Sequence, residues 1–114
     1  MYALKNKVQL IGNLGNAPEV RTTENGRKLA RFSVATDETY TNAQGEKVKD
    51  TQWHNLIAWG KTAEIVEKYL GKGSEVVVEG KLINRNYTDK EGNKKYVTEV
   101  EVGELLMLGG KPKE

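Results

Sequence analysis

The chain has 114 residues, 37% of them hydrophobic and 30% charged, with no cysteine and a formal net charge of +2. This length supports one domain that buries roughly 65% of its unfolded surface, the composition is that of a globular rather than a disordered protein, and the missing thiols exclude disulfides and thiolate metal sites. No apolar run approaches the roughly 18 residues of a membrane span and no charged-then-apolar leader follows Met1, so a cytoplasmic protein without membrane contact is expected, with any basic surface local and offset by acids elsewhere.

The first extended segment covers residues 7–14 and the second residues 29–40, where Phe32 and Val34 alternate with Arg31 and Ser33. Thr23-Glu24-Asn25-Gly26 before the second and Asn42-Ala43-Gln44-Gly45 after it read as turns. A third extended segment spans 48–60. A short helix is expected over 62–70: Thr62 can cap it, Glu64 suits its N-terminal end, Ile65, Val66, Tyr69 and Leu70 share a face, and Gly71 stops it. Segments 74–87 and 94–108 follow, joined at Asp89-Lys90-Glu91-Gly92-Asn93. The continuous apolar run at Val76, Val77 and Val78 needs neighbours on both faces, in a barrel or at a subunit contact. The whole order predicts an all-β fold, a five-stranded OB-fold Greek-key barrel with one short helix between strands three and four. Strands this long predict hairpins projecting past the barrel. The domain occupies 1–108, and 109–114, without pattern, is expected to be a flexible tail.

Within 48–60 the two-residue period of a strand places Trp53, Asn55, Ile57 and Trp59 on one face and His54, Leu56 and Ala58 on the other. Tyr40 and Tyr87 add aromatics near the ends of two neighbouring segments. Flat π-surfaces bordered by Lys or Arg suit the stacking of unpaired nucleobases, with the cations holding phosphates. The plain alternative is that both tryptophans are core residues.

Taken together, Gly12-Asn13-Leu14-Gly15, Pro18-Glu19-Val20-Arg21, Trp53-His54 with Trp59-Gly60-Lys61, Tyr69-Leu70 with Lys72-Gly73, and Glu79-Gly80-Lys81-Leu82 with Tyr87-Thr88-Asp89 resemble the bacterial single-stranded DNA-binding protein family, in order and spacing, from about Asn6 to Gly110. The resemblance implies an OB-fold homotetramer that wraps single-stranded DNA in replication, recombination and repair, in the nucleoid-associated cytoplasm, with no catalysis, metal or cofactor. It places base-stacking aromatics at Tyr40, Trp53, Trp59 and Tyr87, phosphate-contacting cations at Arg21, Lys61, Lys72 and Arg85, and a subunit contact at His54, to which the apolar run adds Val76 and Val78. Tyrosine at 40 and 87 where tryptophan is common, asparagine at 55 and 86 where a base is common, and the lack of a cation just before Gln44 imply weaker contact per subunit. Family members usually continue into a polar linker with an acidic, hydrophobic-tipped end that recruits replication and repair proteins. This sequence stops at Glu114 without one, so contact with those partners is left open.

Other chemistry finds less support. His54 is the only histidine, so a histidine cage or catalytic pair is unavailable. Asp37 with Glu38 and Glu99 with Glu101 are the nearest carboxylate pairs; a solvated edge is expected for them, because no nucleophile converges on either. No phosphate-cradling glycine motif is present. Two rival binding roles remain: an RNA-binding OB module, disfavoured by the single phenylalanine, and an adaptor whose barrel serves protein contacts.

Overall fold

The computed structural model describes residues 4–109; residues 110–114, most of the expected tail, lie outside the described residues. The elements are β1 (Val8–Leu14), β2 (Glu19–Thr22), β3 (Lys28–Thr41), β4 (Lys47–Trp59), α1 (Gly60–Tyr69), β5 (Glu75–Thr88) and β6 (Lys94–Met107). Sheet order runs β1-β5-β6-β4-β3-β2, and a further β1–β3 pairing closes β1, β3, β4, β5 and β6 into the expected five-stranded barrel. In chain order the helix falls between the fourth and fifth strands rather than the third and fourth. The cause is Glu19–Thr22, which the pattern did not assign and which pairs with Lys28 to Arg31 along the outer edge of β3.

Closure depends on close approach at two seams. Where β1 meets β3, Asn13 faces Ala35 and Leu14 faces Val34, and a Cβ on Gly12 would run into the Ala35 carbonyl and lie 3.0 Å from Val34 Cγ1. On the far side β4 and β6 run parallel over Leu56–Val100 and Ile57–Glu101 only. Inside, alternate residues Ala30, Phe32 and Val34 of β3 meet Leu56 and Ala58 of β4 and Val100 and Val102 of β6. The helix plugs one end through Ala63, Val66 and Leu70. It starts at Gly60 with Trp59 as an uncapped N-cap, earlier than Thr62, and Ile65, expected on the buried face, is 41% exposed.

Val76 and Val78 are wholly buried in this core, which corrects their assignment to a subunit contact: a side chain that fills the barrel has no surface left for a second chain. The outward member of that run is Val77. It stands between Ile11 of β1 and Leu106 of β6 in one transverse row. Beyond the core the hairpins project as expected, with β3–β4 pairing continuing to Thr41–Lys47 and β5–β6 to Thr88–Lys94. Their turns are fixed by side chains that close on the backbone. Asn42 Oδ1 accepts from the Gln44 and Glu46 amides, and Asp89 Oδ1 from those of Glu91 and Asn93.

Candidate nucleic-acid interface

Across the outer side of β3 and β4, Arg31, Ser33 and Ala35 stand opposite Ile57, Asn55 and Trp53. An open groove of about 580 Å³ runs from there to the projecting part of β5 and β6, with Asn16, Arg31, Ser33, Asn55, Arg85, Tyr87 and Glu99 in its walls. A hollow of about 210 Å³ shares Asn55 and Glu99 with this groove and adds Trp53.

Trp53 is 62% exposed, which removes the core reading for this residue. Its indole rests on the turn after β1, where a Cβ on Gly15 would collide with the six-membered ring. That turn is clamped to β3: the Gly15 amide donates to the Ser33 carbonyl at 3.0 Å, and Asn16 Oδ1 accepts from the Ser33 amide at 3.0 Å and its hydroxyl at 2.7 Å. The platform is therefore fixed beneath and open above, the arrangement that base stacking requires. Nothing local in the sequence marks Gly15 or Asn16 for this task, because both act through residues 17 or more positions away.

Trp59 differs. It is half-buried, and the Arg27 guanidinium already lies 4.3 Å from its ring centroid. Leu29 pairs with both Arg21 and Trp59, so Arg21 sits two strands from this indole, about 10 Å away. Trp53 and Trp59 are separated by six positions of one strand, about 20 Å. Between them Ile57, expected on an open aromatic face, is 4% exposed, so that face is interrupted. Tyr40 and Tyr87 are about half exposed on the two hairpins. Strand alternation puts Tyr40, opposite Val48, on the other face of its hairpin from Trp53. The four aromatics are thus distributed around the barrel rather than gathered in one patch.

The centre of the groove is ionic. Glu99 is 4% exposed, so the expectation of a solvated carboxylate was wrong for this residue, although Glu101 remains partly open and pairs with Lys81 at 3.5 Å. Glu99 Oε1 accepts from Arg85 Nε at 2.7 Å and Oε2 from an Arg31 terminal nitrogen at 3.1 Å. Burial of a carboxylate requires such partners. The hydrogen bond to Glu99 holds the Arg85 guanidinium above its ordinary pKa. Arg31 escaped the sequence reading because its carboxylate partner is 68 positions away. Lys61 and Lys72 are exposed at the start of α1 and in the α1–β5 connection. The latter is tied to the end of β1 by the Gly73 amide, 2.9 Å from the Leu14 carbonyl, which brings Lys72 to the side of the barrel that supports Trp53. His54 is partly buried, and its Nε2 lies 2.9 Å from Thr36 Oγ1. Among the described residues no group of three or more His, Asp or Glu side chains is placed to hold a metal ion.

Residues 5–108 match the family model described as the single-strand binding protein family. Single-stranded DNA-binding protein 1 of Xylella fastidiosa is 49% identical over 107 residues, covering 93% of this chain and 79% of that protein. Single-stranded DNA-binding protein 1 of Chlorobaculum tepidum is 46% identical over 107 residues, again 93% of this chain but 66% of the relative. Among solved structures, the Plasmodium falciparum SSB in complex with ssDNA superposes with a TM-score of 0.84 at 31% identity, covering 90% of this chain and 94% of that one.

Proposed function

The chain belongs to the single-strand binding protein family, and from that membership we propose that it coats and protects single-stranded DNA without sequence preference, as a homotetramer acting in replication, recombination and repair. It does so as a binder, without catalysis or cofactor, in the nucleoid-associated cytoplasm. The observation that carries this reading is Trp53: a large indole 62% exposed, seated on a clamped turn beside a groove with two arginines in its walls.

Bases stack on Trp53, Trp59, Tyr40 and Tyr87 while Arg21, Lys61, Lys72 and Arg85 take the phosphates. A duplex hides its base faces and leaves only charge attraction, which a net charge of +2 keeps weak and salt erodes. The preference for single strands therefore widens as salt rises. Distribution of the aromatics on both faces of the hairpins suits a strand that wraps. Self-association uses the row Ile11, Val77 and Leu106, of which Ile11 and Leu106 are 54% and 62% exposed, with His54 near a second contact. Closed two-fold symmetry then builds a dimer of dimers.

Titration with oligo-dT tests the reading through tryptophan fluorescence. Strong quenching that persists at salt concentrations where an equally long duplex no longer competes is expected. Absent quenching, or displacement by duplex at comparable concentration, would overturn it, and tighter binding to oligo-U than to oligo-dT would favour an RNA-binding role.

A further inference from the structure

Glu99 is the only buried charged residue among those described, and it lies in the floor of the binding groove with one arginine on each carboxylate oxygen. A buried carboxylate in a surface meant for phosphates is costly twice over, since it must be desolvated and it repels the ligand. Its retention needs a compensating role. We propose that Glu99 is a positioning residue that sets Arg31 and Arg85 as a two-armed clamp for one backbone phosphate, making Arg31 a DNA contact in its own right; this rests on the single-strand-binding reading and assigns the centre of that site.

The geometry supplies what a clamp requires. A guanidinium has five N–H donors, and the bonds to Glu99 use Nε of Arg85 and one terminal nitrogen of Arg31, leaving donors on both for a ligand. Both side chains are 41% exposed, so their remaining donors reach solvent while their positions are fixed from below. Arg31 is anchored on β3, opposite Ile57, and Arg85 on β5, opposite Val97. The two arms thus come from different sides of the groove, and Asn55 and Tyr87 stand in the same walls. Arg31, Arg85 and Glu99 together carry a single net positive charge, and Glu19, opposite Arg31 on β2, is the other carboxylate in the groove lining. Pre-ordering two flexible side chains removes an entropic cost that binding would otherwise bear.

Two explanations of Glu99 differ in sign. If it merely subtracts charge, Glu99→Gln raises the groove's positive potential and tightens oligo-dT binding. If it positions the arginines, the same isosteric change frees them and weakens binding at 0.2 M salt by about five- to tenfold. The full chain is assayed by oligo-dT titration across a salt series, with native state checked by circular dichroism and thermal unfolding. Arg31→Ala should make the slope of log K against log salt shallower by about 0.7 for each phosphate released. Tighter or unchanged binding by folded Glu99→Gln, or an unchanged slope in Arg31→Ala, overturns the clamp. Should Glu99→Gln fail to fold, Arg31→Lys decides: it keeps the charge but loses the planar fork, so weakened binding supports the clamp and full binding overturns it. Trp53→Ala run in parallel separates the two levels. If wild type does not bind oligo-dT the functional reading falls with the clamp; if Trp53→Ala weakens binding and the Glu99 and Arg31 variants do not, the clamp alone falls.

Discussion

On the strip formed by β1, β5 and β6, the outward positions Ile11, Val77 and Leu106 make one apolar row, whereas on β3, β4 and the projecting part of β5 the outward positions hold Arg31, Asn55, Trp53 and Arg85. Both strips cover the same core and neither is needed to fill it. The first leaves aliphatic surface in water, and a trough of about 690 Å³ beside it is lined by Ile65, Tyr69, Val77, Leu106 and Met107. Apolar surface of that kind is lowered in free energy when an apolar partner covers it. The second strip offers one open π-surface and fixed cations, which suit a charged, flexible strand and gain little from an aliphatic partner. Core packing and outward chemistry are therefore separable along a single strand, because alternate side chains serve different faces.

Breaking the apolar row should have the largest effect. Ile11→Lys with Leu106→Lys places like charges in a buried contact and should weaken self-association by about a thousandfold, read as smaller species in native mass spectrometry at micromolar concentration. Each barrel should keep its circular dichroism spectrum and its groove. A tetramer unaffected by this pair would place the subunit contact on another face.

On the other strip, Trp53→Ala should weaken oligo-dT binding by roughly ten- to a hundredfold without unfolding the domain. Gly15→Val should move binding in the same direction, since its side chain takes the space of the indole. Neither should alter the oligomer. Trp59→Ala should be milder in binding, about tenfold or less, and should lower the melting temperature more than Trp53→Ala, because Trp59 is half-buried beneath Arg27. Equal binding losses at the two tryptophans would mean that Arg27 moves aside at no cost. The smallest change is expected for Lys61→Ala. It should reduce affinity only a few-fold and make the salt dependence shallower by about 0.7 if that lysine holds one phosphate.

The five barrel strands, the turns between them and the helix were legible in the sequence because each depends on neighbours close along the chain, whereas the short strand Glu19–Thr22 was not. Asn42 and Asp89 close their own hairpins, and the alternation of residues 29–40 separates Phe32 and Val34 from Arg31 and Ser33 without reference to anything distant. Membership of the single-strand binding protein family, too, was readable from its ordered phrases. The helix start was less legible, since the turn at Gly60 continues directly from β4 and makes no use of the cap offered by Thr62.

What tertiary structure decided is which of the outward residues are open, covered or held. Two tryptophans that alternate alike along β4 differ because Gly15 and Asn16 seat one and Arg27 covers the other. Three consecutive valines look alike in sequence, yet closure of the barrel buries Val76 and Val78 and turns only Val77 outward. Glu99 and Glu101 share a strand face, but only Glu99 comes to lie between Arg31 and Arg85, from strands 68 and 14 positions away. Local periodicity assigns a residue to a side of a strand; exposure and ion pairing depend on which strand closes over that side, and that is set by long-range pairing.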